Sequence, residues 1–364
     1  MIPHSGFFIP LSLTLIAFMK KALTLLVLAL FTLACNNPGT DSTDESKLSK
    51  TSDSSQVKSI NKVNPEDSLN IILKAEPNNV RALLMRARIN YNQGDQRQAI
   101  FDLQRLKEID SLNPEMLVLL GDIQMLKNQS RAAKNSWELC AKVDPTAIDC
   151  RLKLGQMYAS INEHEKALRY LDEVLKIDEY NAPAYFYKGI VIRNFKQDTA
   201  LALNYFQKAT ELKQDYFEAL DMMGVSLAAM GDTLAPYYYQ RILDIDPNRP
   251  DIHYKLGVYY QSQNETNKAI EAYTKSTQID PKMSDSYYNL GVIFIDLKEY
   301  GDARNYFSQA IKAQPRNNYK AFYGRAYSFE MLGDVINAEK DYRKALEQLP
   351  MYQPAMEGLA RVKK

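Results

Sequence analysis

Tyr254-Lys255-Leu256-Gly257-Val258-Tyr259-Tyr260 is answered further along the chain by Tyr287-Tyr288-Asn289-Leu290-Gly291-Val292-Ile293-Phe294. Each stretch sets a leucine before a glycine, with one aromatic side chain three residues before that glycine and another three after it. Residues three and four apart share a helix face, so both stretches predict a helix with a gap in the middle of an apolar stripe. Glycine lowers helix propensity by about 1 kcal/mol relative to alanine. A helix tolerates that loss where a second helix has to come close.

Working outward, the small residue recurs as Ala87, Gly121, Gly155, Gly189, Gly224, Gly257, Gly291, Ala326 and Ala360, in steps of 34, 34, 34, 35, 33, 34, 35 and 34 residues. About twelve residues after it comes an alanine in eight copies: Ala99, Ala133, Ala167, Ala202, Ala235, Ala269, Ala303 and Ala338. Four residues beyond each alanine stands a large side chain: Leu103, Trp137, Leu171, Phe206, Tyr239, Tyr273, Phe307 or Tyr342. Each period therefore reads as two helices, the small residues admitting close approach and the large ones filling the space beside them. The turn between them falls on Gly94, Asn128, Asn162, Gly231, Asn264 and Gly333, residues that tolerate a left-handed backbone, with Lys196 and Lys298 at that place in the other two copies. Pro145, Pro247, Pro281, Pro315 and Pro350 stop second helices.

A period of 34 with this register resembles the tetratricopeptide repeat (TPR) family, over about 270 of the 364 residues. The resemblance implies an all-α, right-handed superhelical solenoid of about eight TPR helix–turn–helix units with capping helices. The repeats occupy residues 80–350, an N-terminal cap 65–79 and a C-terminal cap 351–364. Copies 1, 4 and 8 depart from the pattern, with Arg86, Lys188 and Arg325 where leucine is usual. Copy 4 has one extra residue near Asp198, and copy 5 one fewer.

In this family the first helix of each repeat forms a concave wall that takes extended segments or helices of other proteins. Carried onto this chain, the wall has an aromatic row, Phe186, Tyr254, Tyr288 and Tyr323, with Tyr327 one turn on. Tyrosine joins a rigid apolar ring to a polar tip, which suits a peptide groove. A second row is acidic: Glu115, Asp149, Glu218, Asp251 and Asp285, bounded by Arg81, Arg88 and Lys320. Carboxylates there favour a partner bearing Lys or Arg; an acid in the first turn of a helix is also favoured by the helix dipole alone. The carboxylate clamp of chaperone-binding TPR domains needs Lys, Asn and Arg on three consecutive copies, and no three present that set.

The N-terminal region is an address rather than a domain. Residues 19–34 begin Met19-Lys20-Lys21, continue as an apolar stretch, and end in Thr32-Leu33-Ala34 before Cys35. This layout is similar to a bacterial lipoprotein signal, which implies lipidation of Cys35; Thr32 stands where leucine is commoner. An ordinary signal peptide with an incidental cysteine, or a membrane hairpin, are the alternatives. Residues 1–18 read as an upstream extension, and residues 35–64, rich in Ser, Thr, Asp, Asn and Lys, as a flexible tether. The expected location is a bacterial cell envelope, with a lipid anchor in the outer membrane and the TPR body in the periplasm or at the cell surface.

Other chemistry is sparse. A formal net charge of +1 gives no reason to expect nucleic acid. The three histidines, His4, His164 and His253, lack metal spacing, and neither a phosphate loop nor a nucleophile elbow occurs. No enzyme, metal or cofactor is expected. Cys140 and Cys150 leave two readings open, a buried thiol and a disulfide. The function expected is a membrane-tethered protein–protein interaction scaffold, in envelope assembly or secretion, holding partner segments in the groove; homo-oligomers are compatible with it. The alternative is a glycan or cell-wall binding protein that uses the tyrosines.

Overall fold

The computed structural model describes residues 64–363, all of which fall within one unit, Val63–Lys364. The signal, Cys35 and nearly all of the tether lie outside the described residues. The helix α1 (Pro65–Ala75) is followed by eight hairpins: α2 (Val80–Gln93) with α3 (Gln96–Ile109), α4 (Pro114–Leu126) with α5 (Ser130–Val143), α6 (Ile148–Ser160) with α7 (His164–Ile177), and α8 (Ala182–Phe195) with α9 (Thr199–Leu212). Then come α10 (Phe217–Ala229) with α11 (Ala235–Ile245), α12 (Pro250–Ser262) with α13 (Thr266–Ile279), α14 (Ser284–Asp296) with α15 (Tyr300–Ala313), and α16 (Tyr319–Met331) with α17 (Val335–Gln348). The series closes with α18 (Gln353–Val362). No strand occurs among the described residues, and the fold is an all-α superhelical solenoid.

Local chemistry sets the helix ends. Asn79, Asn113 and Asn181 cap first helices by accepting the backbone N–H three residues on, at 2.9, 3.0 and 3.1 Å. Asp198 and Asp334 do the same for second helices. Helices α5, α11, α13, α15 and α17 each end two residues before a proline, and the intervening residue is extended, as the proline ring demands. Left-handed residues occupy the hairpin turns at Gly94, Asn128, Asn162, Gly231, Asn264, Lys298 and Gly333. In copy 4 the left-handed residue is Gln197, not the expected Lys196, because α8 runs one residue further and carries the turn with it. A ninth, Asn317, was not foreseen; it lies between α15 and α16, where the period lengthens to 35.

The core is the small–large register made solid. A Cβ built on Gly257 would stand 2.5 Å from the Tyr273 ring, and one on Gly291 2.7 Å from Phe307. Gly189 meets Phe206 and Gly224 meets Tyr239 in the same way. Each large side chain thus plugs the gap left by the small residue of its own hairpin. Along the stack, three pairs of successive first helices touch (α2 with α4, α6 with α8, α14 with α16), whereas no pair of second helices makes comparable contact. The wall of first helices is therefore the inner, concave one.

The three charged departures are accommodated by partners. Arg86 forks onto Asp102 at 2.9 and 2.6 Å, and Arg325 onto Asp341 at 2.6 and 3.0 Å, each aspartate sitting sixteen residues on in the second helix of the same copy. Lys188 reaches back to Asp172 at 2.6 Å. Buried carboxylates are tolerated only when paired in this way. At the joint between copies 2 and 3, Cys140 and Cys150 form a disulfide, their Cα atoms 6.1 Å apart. Arg151 beside it donates to the carbonyls of Ala141, Asp144 and Ala147, tying down the end of α5.

Candidate functional site

The concave wall is made by side chains that α2, α4, α6, α8, α10, α12, α14 and α16 turn away from their own hairpin partners. Two clefts mark its two ends. The first, about 310 Å³, draws Tyr91, Asp122, Lys153, Gln156 and Tyr187 from four successive first helices. The second, about 450 Å³, is lined by Tyr254, Asp285, Tyr288, Asn289, Tyr319 and Lys320 with the loop before α16.

The aromatic row is not uniform. Phe186 is 8% exposed and lies among Tyr187, Phe206 and Tyr216, so it serves the core rather than the wall. Tyr254, Tyr288 and Tyr323 are half-buried, each leaning on the large ring of its own hairpin: Tyr273 at 5.9 Å, Phe307 at 5.7 Å and Tyr342 at 5.9 Å. Burial raises the phenol pKa of all three above its ordinary value, with Asp285 adding to the effect at Tyr254. Tyr327 is half-buried and meets Tyr300 edge-on at 6.3 Å.

The acidic row divides as well. Glu115 lies 3.5 Å from Arg88, with both side chains largely exposed, which is a weak pairing. Asp251 accepts a bidentate grip from Arg249, which holds its carboxyl below the usual range. Asp149, Glu218 and Asp285 are exposed and make no ion pair among the described residues. Two further acids were missed in the sequence: Asp122, 3.1 Å from Lys153, and Asp221, 2.6 Å from Lys255. Burial pushes the Asp122 carboxyl up, and the Lys153 ammonium only partly offsets this.

A second feature was also missed. The residue that follows the small residue is polar in the first three copies, Arg88, Asp122 and Gln156, and apolar in the last five: Ile190, Val225, Val258, Val292 and Tyr327. None of these five is fully buried, and Val258 is 43% exposed. The wall therefore has a polar half and an aliphatic half. The signal was present in the register, but partly exposed valines inside a helix look like core residues until the partner helix is seen to lie on the other side.

Among the described residues no group of His, Cys, Asp and Glu is placed to hold a metal ion. His164 stacks on Phe195 at 4.7 Å, and burial lowers the pKa of His253.

Profiles of the tetratricopeptide repeat match residues 81–110, 148–181, 250–283 and 288–352. A TPR repeat-containing protein of Methanocaldococcus jannaschii is 24% identical over 287 residues, which is 77% of this chain and 46% of that protein. The CTR9 homolog of Arabidopsis thaliana is 27% identical over 131 residues, 35% of this chain and 12% of that protein. The chain thus spans less than half the length of these curated relatives. The solved C-terminal part of a TPR repeat-containing protein from Cytophaga hutchinsonii superposes with a TM-score of 0.57 at 17% identity, covering 66% of this chain and 98% of that one, a likeness of fold. Register, packing and comparisons agree that the described residues form a solenoid of tetratricopeptide repeats.

Proposed function

We propose that this chain is a membrane-tethered scaffold of a bacterial envelope, which holds a segment of another protein along its concave wall. The observation that carries the binding half is the aliphatic row Ile190–Val225–Val258–Val292, left partly open to water on helices that also carry Glu218 and Asp285, neither of which is ion-paired among the described residues. Packed helices stand about 8–10 Å apart, so a row across four first helices offers a track of at least about 25 Å. An amphipathic segment with apolar residues on one side and Lys or Arg on the other fits that track. The tethering half rests on the Met19–Cys35 signal; a disulfide at Cys140–Cys150 is in keeping with an oxidising compartment.

Crosslinking in intact cells, with wild type and Cys35→Ala compared by mass spectrometry, tests both halves. The expected result is a small set of protein partners for wild type, and loss of the protein from the membrane fraction together with those partners for Cys35→Ala. A Cys35→Ala protein that stays membrane-bound removes the lipid anchor. A Val258→Gln variant that keeps every crosslink removes the groove.

A further inference from the structure

The cleft at the copy 6–8 end differs from the one at the other end in how its charges are used. In the first cleft, Asp122 is bonded to Lys153, so acid and base cancel. In the second, Asp285 and Lys320 both line the cleft, and neither makes an ion pair among the described residues. Tyr254, Tyr288 and Tyr319 line the same cleft. Each of these rings is fixed from behind by another: Tyr273 at 5.9 Å, Phe307 at 5.7 Å and Tyr352 at 4.9 Å.

The cleft is also built in advance. The extra residue of this period turns left-handed at Asn317, with φ 56°. The loop around it is stapled on both sides. Asn318 donates its backbone N–H to Gln348 at 2.7 Å and its amide to Ser284, Ala310 and Gln314, while Gln348 donates to the Pro315 carbonyl at 3.1 Å. Among the described residues, no other junction between copies has a left-handed residue. A left-handed turn held by several bonds, beside rings packed on other rings, leaves a shaped recess that need not reorganise on binding.

We propose that this recess receives one Lys or Arg side chain of the bound segment, with the three tyrosines around the cation and Asp285 as its counter-charge. Aromatic rings attract a cation over their faces, and an exposed carboxylate at the rim adds to the attraction and steers approach. Lys320, also in the lining, disfavours a second cation and suits the carbonyl oxygens of the segment's backbone. The proposal rests on the groove reading above and narrows it to one anchoring position.

The test is fluorescence anisotropy of the full chain in detergent with two labelled nonapeptides of alternating valine and glycine. One carries a central arginine, the other a central citrulline, which keeps the shape and removes the charge. The arginine peptide should bind roughly tenfold more tightly. Asp285→Asn should erase that difference without weakening the citrulline peptide, while Val258→Gln should weaken both alike. Equal affinity for the two peptides, or a preference that survives Asp285→Asn, overturns the cation pocket but leaves the groove standing. If neither peptide binds a protein whose circular dichroism is that of folded helix, groove and pocket fall together. Displacement of both peptides by chitotetraose, with no arginine preference, would assign the recess to a sugar instead.

Discussion

Gly291→Leu is the sharpest test of the packing. Phe307 is fully buried, and its ring lies between two glycines, Gly291 of its own hairpin and Gly324 of the next copy. A Cβ on Gly291 would stand 2.7 to 2.8 Å from three ring atoms, and one on Gly324 would press on the same ring from the other side. The ring therefore has nowhere to retreat, and four added carbons must separate α14 from α15. Severe overpacking of this kind costs about 2–4 kcal/mol. In a solenoid each copy is stabilised by its neighbours alone, so a melt of the whole array dilutes the effect. Hydrogen exchange read by mass spectrometry localises it: amides of Ser284–Asp296 and Tyr300–Ala313 should exchange roughly 30- to 900-fold faster, while those of α2 to α7 keep their wild-type rates. Adding Phe307→Ala should recover part of the loss, with a coupling of about 1–3 kcal/mol. Gly301→Ala, on a residue with nothing within 4 Å, is the control and should leave exchange unchanged or slower. Unchanged exchange in Gly291→Leu would refute the register from which the fold was argued.

Arg325→Met leaves the Asp341 carboxylate, 4% exposed, without its partner; hydrogen exchange in Tyr319–Gln348 should report a loss of about 3–5 kcal/mol, and the double variant Arg325→Met/Asp341→Leu should return to within about 1 kcal/mol of wild type. Reducing the Cys140–Cys150 bond, which spans ten residues of sequence, should lower the stability of copies 2 and 3 by about 2.5–3 kcal/mol, with protection in copies 6 to 8 unaffected. Glu330 binds Arg361 of α18 at 2.8 and 3.0 Å and Tyr342 of α17, and the Arg361 bond holds its carboxyl below the usual 4.5. A depressed carboxylate contributes stability that is complete above the ordinary value and is lost as pH falls through the folded one. Exchange in Gln353–Val362 should therefore rise as pH drops below about 4.5 relative to an Arg361→Met variant.

By itself the sequence determined the repeat. A small residue every 34 positions, an alanine twelve further on and a large side chain four beyond are statements about one hairpin, and a helix face is legible from local spacing. Prolines and left-handed residues marked the helix ends for the same reason, since backbone conformation depends on near neighbours. What the sequence did not disclose were relations between helices, within a copy and from one copy to the next. Phe186 occupies the same register position as Tyr254 and Tyr288, yet Tyr216 from the next copy covers it. Arg86 and Arg325 read as blemishes until Asp102 and Asp341 were found beneath them. Val258 looks like core because exposure is not written in a residue's identity, and only the packing of α11 and α13 on other faces of α12 leaves it open to water. Burial and pairing are set by which surfaces meet in space, and here those surfaces belong to residues sixteen positions apart within a hairpin, or about 30 apart between copies, beyond the reach of any local pattern.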